Sequence, residues 1–329
     1  MRDASILVLG AALQKGPSGT QLLHLLQEMG PVTVVADTPR QPQEIRRLLE
    51  QNEILVLDPV PYVYISHEMF VDTSLRFVTV TTSGFDHIDV RECRQAGILV
   101  SSVPGYARQA VAEHTFALLL SLLRKLHLAD PLVRSSGFDY RPFLGTEIAG
   151  KTFGIIGLGS IGTRVAELAL AFGADVIACD IRPRQMAGVA LVELRTLLEK
   201  SDIVSLHADL NPTSLGLIGK EQLTWMKPTA VFVNTARGRL VDEKALIDAL
   251  KQKRIVGAAL DVLQRERPGE KNPLFDLSNV VLSPHVAFCT EEGLLRRNQT
   301  VAENVRSYLQ GEPMHLVMEE LMKSLPTNR

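Results

Sequence analysis

Three residues in the last third of the chain are of types that could act together on one small molecule. They are Arg237 in "NTARGRLVDEKAL", Glu266 in "DVLQRERP" and His285 in "SPHVAF". Each follows a short apolar run ("AVFVN", "IVGAALD", "VVLSP") that reads as a buried strand. Ligands of a doubly wound parallel sheet bind beyond the carboxyl ends of its strands. A cation, a carboxylate and an imidazole therefore arrive from three successive strands at one edge. Burying a guanidinium is costly unless an anion meets it, and a guanidinium fork can hold a carboxylate while polarising the neighbouring carbonyl. Hydride added to that carbonyl carbon leaves an alkoxide needing a proton, which His285 could give, and Glu266 beside it would favour the imidazolium. Taken singly, each residue is ordinary: a His after Pro is usually a turn residue, an Arg in a turn is usually solvated, and a Glu in "QRER" is usually exposed. Their joint arrival points to a 2-oxo acid.

A second constellation lies upstream. "GIIGLGSIG" sets Gly157, Gly159 and Gly162 as GxGxxG, with Leu158, Ser160 and Ile161 between them, directly after a strand and at the start of a helical pattern. The first glycine makes a tight turn, the second lets backbone approach a pyrophosphate, and the third lets helix and strand pack closely. A lone GxGxxG is often only a turn. Here the next strand, "DVIACD", ends in Asp180, eighteen residues past Gly162, where the adenine ribose would sit. Its carboxylate would repel a 2′-phosphate, so NAD is expected over NADP. Arg182 and Arg184 pull the other way.

The elements that must position these groups alternate short apolar runs with helical patterns, the mark of parallel sheets covered by helices. One series runs "SILVLG", "VTVVAD", "EILVLD", "RFVTVTTSG" and "ILVSSV"; the other has six members, from "TFGIIG" to "VVLSP". Pro104 and Gly105 interrupt the pattern between them. Residues 110–126 then form a helix apolar almost all round, suited either to an internal core or, slightly better, to a subunit interface. The final helical stretch, from "EEGLLRRN" onward, follows the last strand and could return to the first domain, giving a hinged cleft.

Bulk composition narrows the function classes. With 329 residues, 46 % apolar and 22 % charged, the chain has the make-up of a globular protein of about two domains. A net charge of −2 without charge blocks argues against nucleic acid or a membrane surface as partner. Cys93, Cys179 and Cys289 are scattered, which suits a reducing compartment and no metal cluster. The start runs straight into a strand pattern and no stretch is long enough to span a bilayer, so a cytoplasmic location is expected.

The segments "SGFDHID", "VAEHT", "GIIGLGSIG", "NTARGRLVDEKAL", "GAALDV" and "SPHVA", in this order and spacing, resemble the D-isomer-specific 2-hydroxyacid dehydrogenases over nearly the whole chain. The resemblance implies Arg237, Glu266 and His285 as the catalytic set. It also implies backbone N–H groups of Ser83 and Gly84 on the substrate carboxylate. Cofactor contacts would come from Gly157 to Gly162, Asp180, His207, Thr235, Ala236, Arg237, His285 and Asp261, the last meeting the carboxamide. The implied architecture is α/β with two doubly wound parallel-sheet domains: a Rossmann-type NAD-binding domain at 103–288, inserted in a flavodoxin-like substrate domain made of 1–102 and 289–329. The implied assembly is a homodimer through the helix after Pro104, in which His114 would be structural.

Departures from the family pattern bear on the substrate. His87 stands where Asn is common, as it does in glyoxylate and hydroxypyruvate reductases. Val80 stands where relatives acting on 3-phosphoglycerate have Arg, and Ser83 where phosphite-oxidising relatives have Lys. Asp209 replaces a usual Pro and Ala287 a frequent Gly. Tyr62 and Tyr64 could touch a substrate side chain, whereas His24, His127 and His315 show no partner pattern. The expectation is reversible reduction of glyoxylate, hydroxypyruvate or pyruvate to the D-2-hydroxy acid. Alternatives are a phosphite- or phosphoglycerate-type dehydrogenase and an NAD(H)-sensing corepressor or scaffold.

Overall fold

The computed structural model describes residues 4–317 except 11–16, 38, 40, 59–63, 183 and 267–270, so Tyr62 lies outside the described residues. The chain divides into two compact units, Met1–Tyr106 with Thr290–Arg329, and Ala107–Cys289. Each carries its own parallel sheet.

The sheet of the first unit comprises β1 (Ile6–Leu9), β2 (Val32–Val35), β3 (Ile54–Leu57), β4 (Phe77–Val80) and β5 (Leu99–Ser101), in the order β2-β1-β3-β4-β5. This is the flavodoxin-like order. Strands β1, β3 and β4 are buried along their whole length, which is why they read as apolar runs, broken only by Thr79, rather than alternating ones. Helix Glu291–Leu309 belongs to this unit and packs on helix Pro17–Gln27 and on β4. Thr290 starts it by accepting a hydrogen bond from Gly293 N at 3.0 Å, and Glu291 and Glu292 in the first turn suit the helix dipole.

At the carboxyl edge of this sheet several of the unit's own polar side chains pair with one another. Asn304 donates through Nδ2 to Thr79 Oγ1 and Ser102 O, and its Oδ1 pairs with His315 Nδ1 at 2.8 Å. Arg297, itself buried, faces the buried Asp58 at 3.8 Å.

The second unit holds β6 (Thr152–Ile156), β7 (Asp175–Cys179), β8 (Val189–Leu191), β9 (Ile203–Leu206), β10 (Val231–Asn234), β11 (Gly257–Leu260) and β12 (Val280–Leu282). Their order is β12-β11-β10-β9-β6-β7-β8, all parallel, with the strand order reversing between β6 and β9. This is the Rossmann arrangement with an added edge strand. The sequence reading does not include β8, a three-residue edge strand whose Ala190 and Leu191 are exposed.

Helix Arg108–Leu123 buries Ala112, Phe116, Leu119, Leu122 and Leu123 in the core of its own unit, among Phe153, Ile155, Val233 and Ala259. Much of its apolar surface is therefore explained without a partner. The segment beyond it is different: Leu126, Val133, Phe138, Tyr140 and Leu144 are all exposed, Phe138 almost completely at 95 %. Among the described residues, no helix is long and apolar enough to cross a membrane.

Candidate active site

The glycine turn after β6 is shaped by close approach. Gly157 has φ +92°, and a Cβ there would lie 2.7 Å from the backbone of His207 and Ala208. A Cβ on Gly162 would lie 2.0 Å from Gly157 O, so only glycine lets helix Ser160–Ala171 press onto the turn. Gly159, at the N-cap, is the opposite case: an added Cβ would meet nothing within 4 Å. Its open face beside the helix N-terminus is where a pyrophosphate would lie.

Leu158 is buried in the core beneath, with Ser160 exposed and Ile161 half-buried above it. Asp180 follows β7, and its two carboxylate oxygens accept from Leu158 N at 2.6 Å and Arg182 N at 2.7 Å, tying the acid to the glycine turn. His207 follows β9, with Nε2 2.8 Å from Ser205 Oγ. Burial of the ring pushes its pKa from the usual range down to about 3, which keeps the imidazole neutral. These features fit a dinucleotide: a glycine cradle with open space, a helix N-terminus and a fixed carboxylate at the ribose position.

Further along the same edge, β10 delivers Thr235, Ala236 and Arg237. Thr235 is buried and meets Thr115 Oγ1 at 2.9 Å. Asn234 folds over the turn, accepting from Ala236 N and donating to Arg237 O, both at 3.0 Å. The half-buried Arg237 directs Nη1 to Ala236 O at 3.0 Å. A Cβ on Gly238 would lie 2.0 Å from Leu263 O, so this turn is pressed against the loop leaving β11.

That loop carries Glu266, whose Oε1 accepts from Leu263 N at 3.1 Å and whose Oε2 is 2.8 Å from His285 Nδ1. The acid and the imidazole are thus an aligned pair. His285 itself holds φ +54°, a left-handed conformation that costs a non-glycine residue about 1–2 kcal/mol.

Asp261 explains how that conformation is kept. Its carbonyl accepts from His285 N at 2.8 Å, and its carboxylate accepts from Ser283 Oγ at 2.5 Å, Val286 N at 2.9 Å and Ala287 N at 2.9 Å. His114 Nε2, on helix Arg108–Leu123, lies 2.9 Å from Ser283 Oγ and 3.5 Å from Asp261 Oδ1. Burial alone would raise the Asp261 carboxyl, but hydrogen bonds from His114, Ser283, Ala287 and Val286 outweigh it and hold it at about 2. The sequence reading gave Asp261 only a cofactor contact and His114 only a structural place. It missed that together with Ser283 they set the turn presenting His285.

Ser83 and Gly84 belong to the first unit, just past β4. Ser83 is exposed and donates through Oγ to Val103 O at 2.7 Å, while Thr82 donates through Oγ1 to Gly84 O at 2.6 Å. Tyr64, exposed, has its hydroxyl 3.5 Å from Asp89 Oδ2. His127 and His315, without partners in the sequence pattern, have them in space. The first lies 3.2 Å from Ser121 O and 3.1 Å from Ser278 O; the second holds Asn304.

A sequence model described as "D-isomer specific 2-hydroxyacid dehydrogenase, NAD binding domain" matches residues 116–287. A glyoxylate reductase of Thermofilum pendens is 40 % identical over 266 residues, 78 % of each chain. The chain belongs to the D-isomer-specific 2-hydroxyacid dehydrogenase family. Among solved structures, an acyclic imino acid reductase in complex with NADPH and D-Arg superposes with a TM-score of 0.87 at 36 % identity, covering 95 % of this chain and 99 % of that one. A D-lactate dehydrogenase of Aquifex aeolicus, complexed with NAD and lactic acid, gives 0.82 at 27 % identity, covering 94 % and 96 %. This dehydrogenase is accordingly an NAD-dependent oxidoreductase of 2-oxo and 2-hydroxy acids.

Proposed function

We propose that the enzyme reduces a small, unphosphorylated 2-oxo acid to its D-2-hydroxy acid, with glyoxylate, hydroxypyruvate and pyruvate as the substrates to test first. The observation that carries the reading is the 2.8 Å pair of Glu266 and His285, on the sheet edge that also bears Arg237 and the glycine turn. The nicotinamide cofactor, when bound, supplies the hydride for reduction and accepts it in the reverse direction. The rest is work for this chain. The Arg237 guanidinium holds the substrate carboxylate and polarises the carbonyl as negative charge develops on its oxygen. His285, with Nδ1 turned to Glu266, gives its proton from Nε2 to that oxygen, and the Glu266 carboxylate stabilises the charged ring beforehand. In the first unit, the backbone N–H groups of Ser83 and Gly84 are proposed as donors to a substrate carboxylate.

Thr235, Ala236 and His207 line the cofactor side in this reading, and a carboxamide contact from Asp261 would use the remaining lone pair of Oδ2. Unit Ala107–Cys289 holds the cofactor and supplies the three catalytic residues, and the other unit is the substrate domain of this proposal. The preference for NAD over NADP rests on the fixed Asp180 carboxylate.

Absence of a phosphate on the substrate is supported by Val80, buried where phosphate-binding relatives place a cation. The enzyme works as a homodimer in the cytoplasm on this proposal. The exposed apolar side chains between Leu126 and Leu144, in the segment that follows helix Arg108–Leu123, support the first point, and three free cysteines support the second.

The test is NADH and NADPH consumption across a panel of 2-oxo acids, with both product enantiomers resolved. D-product from at least one small 2-oxo acid is expected. Tight NADH binding without turnover of any panel member would replace this reading with a dinucleotide sensor.

A further inference from the structure

The loop between β11 and β12 brings Glu266 to His285, yet neither of these residues explains what holds the loop itself. Glu243, in the "VDEKAL" part of the motif that supplies Arg237, does. It is half-buried at the first position of helix Glu243–Lys251, where a carboxylate suits the helix dipole. It is not needed as the helix cap, because Asp242 takes that task by accepting from Ala245 N at 3.1 Å. The Glu243 carboxylate faces the loop instead. Oε2 accepts from Gln264 N at 2.8 Å, and Oε1 accepts from Asn272 Nδ2 at 2.9 Å. One donor lies just before Glu266 in the chain and the other beyond it. Asn272 is itself fixed, its Oδ1 accepting from Leu274 N at 3.0 Å.

The geometry at the near end is tight. Leu263 N is taken by Glu266 and the next amide, Gln264 N, by Glu243. The peptide joining them is the one against which Gly238 is pressed, with an added Cβ only 2.0 Å from Leu263 O and 2.6 Å from Gln264 N. The Arg237 turn and the Glu243 carboxylate therefore bear on the peptide group between Leu263 and Gln264, and the Glu266 carboxylate on the peptide group just before it.

We propose that Glu243 is a positioning residue that holds Gln264 and Asn272, one on either side of Glu266 in the chain, and so fixes Glu266 against His285. The inference rests on the proposed roles of Glu266 and His285 in proton donation. Glu243 touches neither substrate nor cofactor. Its effect is carried through the placement of one carboxylate.

The test is the pH dependence of 2-oxo acid reduction by full-length Glu243→Ala, Glu243→Asp, Glu266→Gln and the double variant Glu243→Ala/Glu266→Gln, with NADH affinity read from its fluorescence. Glu243→Asp retains the charge at the helix end but falls one methylene short of both donors, so it reports on the clamp if the alanine variant folds poorly. Losing an orienting carboxylate is expected to lower kcat about tenfold and to move the alkaline limb of the profile toward lower pH. NADH affinity should stay within about twofold, since the clamp does not touch the glycine turn. Glu266→Gln should move the same limb further, and adding Glu243→Ala to it should cost nothing more. A limb at the wild-type position in both Glu243 variants, or losses that multiply in the double variant, overturns the clamp alone. A limb unmoved by Glu266→Gln overturns the proton-donor reading, and the clamp falls with it.

Discussion

Beyond β1, an added Cβ on Gly10 would lie 2.4 Å from Asp58 O, and beyond β6 one on Gly157 would lie 2.7 Å from the backbone of His207 and Ala208, but two residues further on Gly159 would meet nothing within 4 Å. The two sheets are otherwise alike: parallel, apolar along their central strands and ending in polar residues at the carboxyl edge. In the first unit, helix Glu291–Leu309 spends its buried polar side chains on that edge, Asn304 on Thr79 and Ser102, Arg297 beside Asp58. In the second, the polar residues at strand ends are tied mainly to one another and to adjacent loops, as with Asp180 on the glycine turn and Glu266 on His285. Topology supplies an edge in both cases. What the chain places on that edge decides which stretches of it become interior and which are left for a ligand.

The comparison can be broken by finding that the two edges respond alike to substitution. The largest effect is expected for Arg237→Ala, which should lose at least ~3 kcal/mol of transition-state stabilisation while leaving the melting temperature nearly unchanged. Full kcat/KM in that variant would remove Arg237 from the site. Asn304→Ala should do the reverse. Stranding Thr79, Ser102 and His315 should lower stability by roughly 2 kcal/mol or more, seen as an earlier denaturation midpoint, with NADH affinity unchanged.

A pH effect comes next. His207 takes up a proton near its ordinary value when unfolded but only near about 3 when folded. Its contribution is therefore complete above the unfolded value and is lost as pH falls toward the folded one. Replacing it with Asn should flatten the acid side of the stability curve by roughly 1.4 kcal/mol per pH unit across that window. Curves of equal slope for the two proteins would contradict an enclosed neutral ring. The smallest change is expected for Asp180→Ala, which should narrow the NADH/NADPH preference by roughly tenfold, about 1.4 kcal/mol. An unchanged ratio would detach that carboxylate from the ribose.

What could be read from the chain alone follows the range of the interactions. Eleven of the twelve strands among the described residues lie within the short apolar runs read from the chain, and the glycine turn is a local pattern with a local cause. Arg237, Glu266 and His285 were found because parallel topology puts strand ends together whatever their separation in sequence. His114 could not be given its task that way. It sits on a mostly apolar helix, and its partners Ser283 and Asp261 lie far along the chain, so nothing near it signals them. The all-round apolar character of helix Arg108–Leu123 was equally ambiguous, since a core and a partner subunit demand the same residues. Short β8 and the contacts of Glu243 share that limitation: the first is only three residues long, and the second are two hydrogen bonds between positions distant in the chain.

The positive φ of His285 sets durability against turnover. Glycine or asparagine would rest more comfortably in that backbone conformation, and neither could deliver a proton at neutral pH. Selection for heat resistance alone would therefore tend to discard the imidazole, so a hardier descendant of this chain would be expected to keep its coenzyme cradle and fall silent as a catalyst.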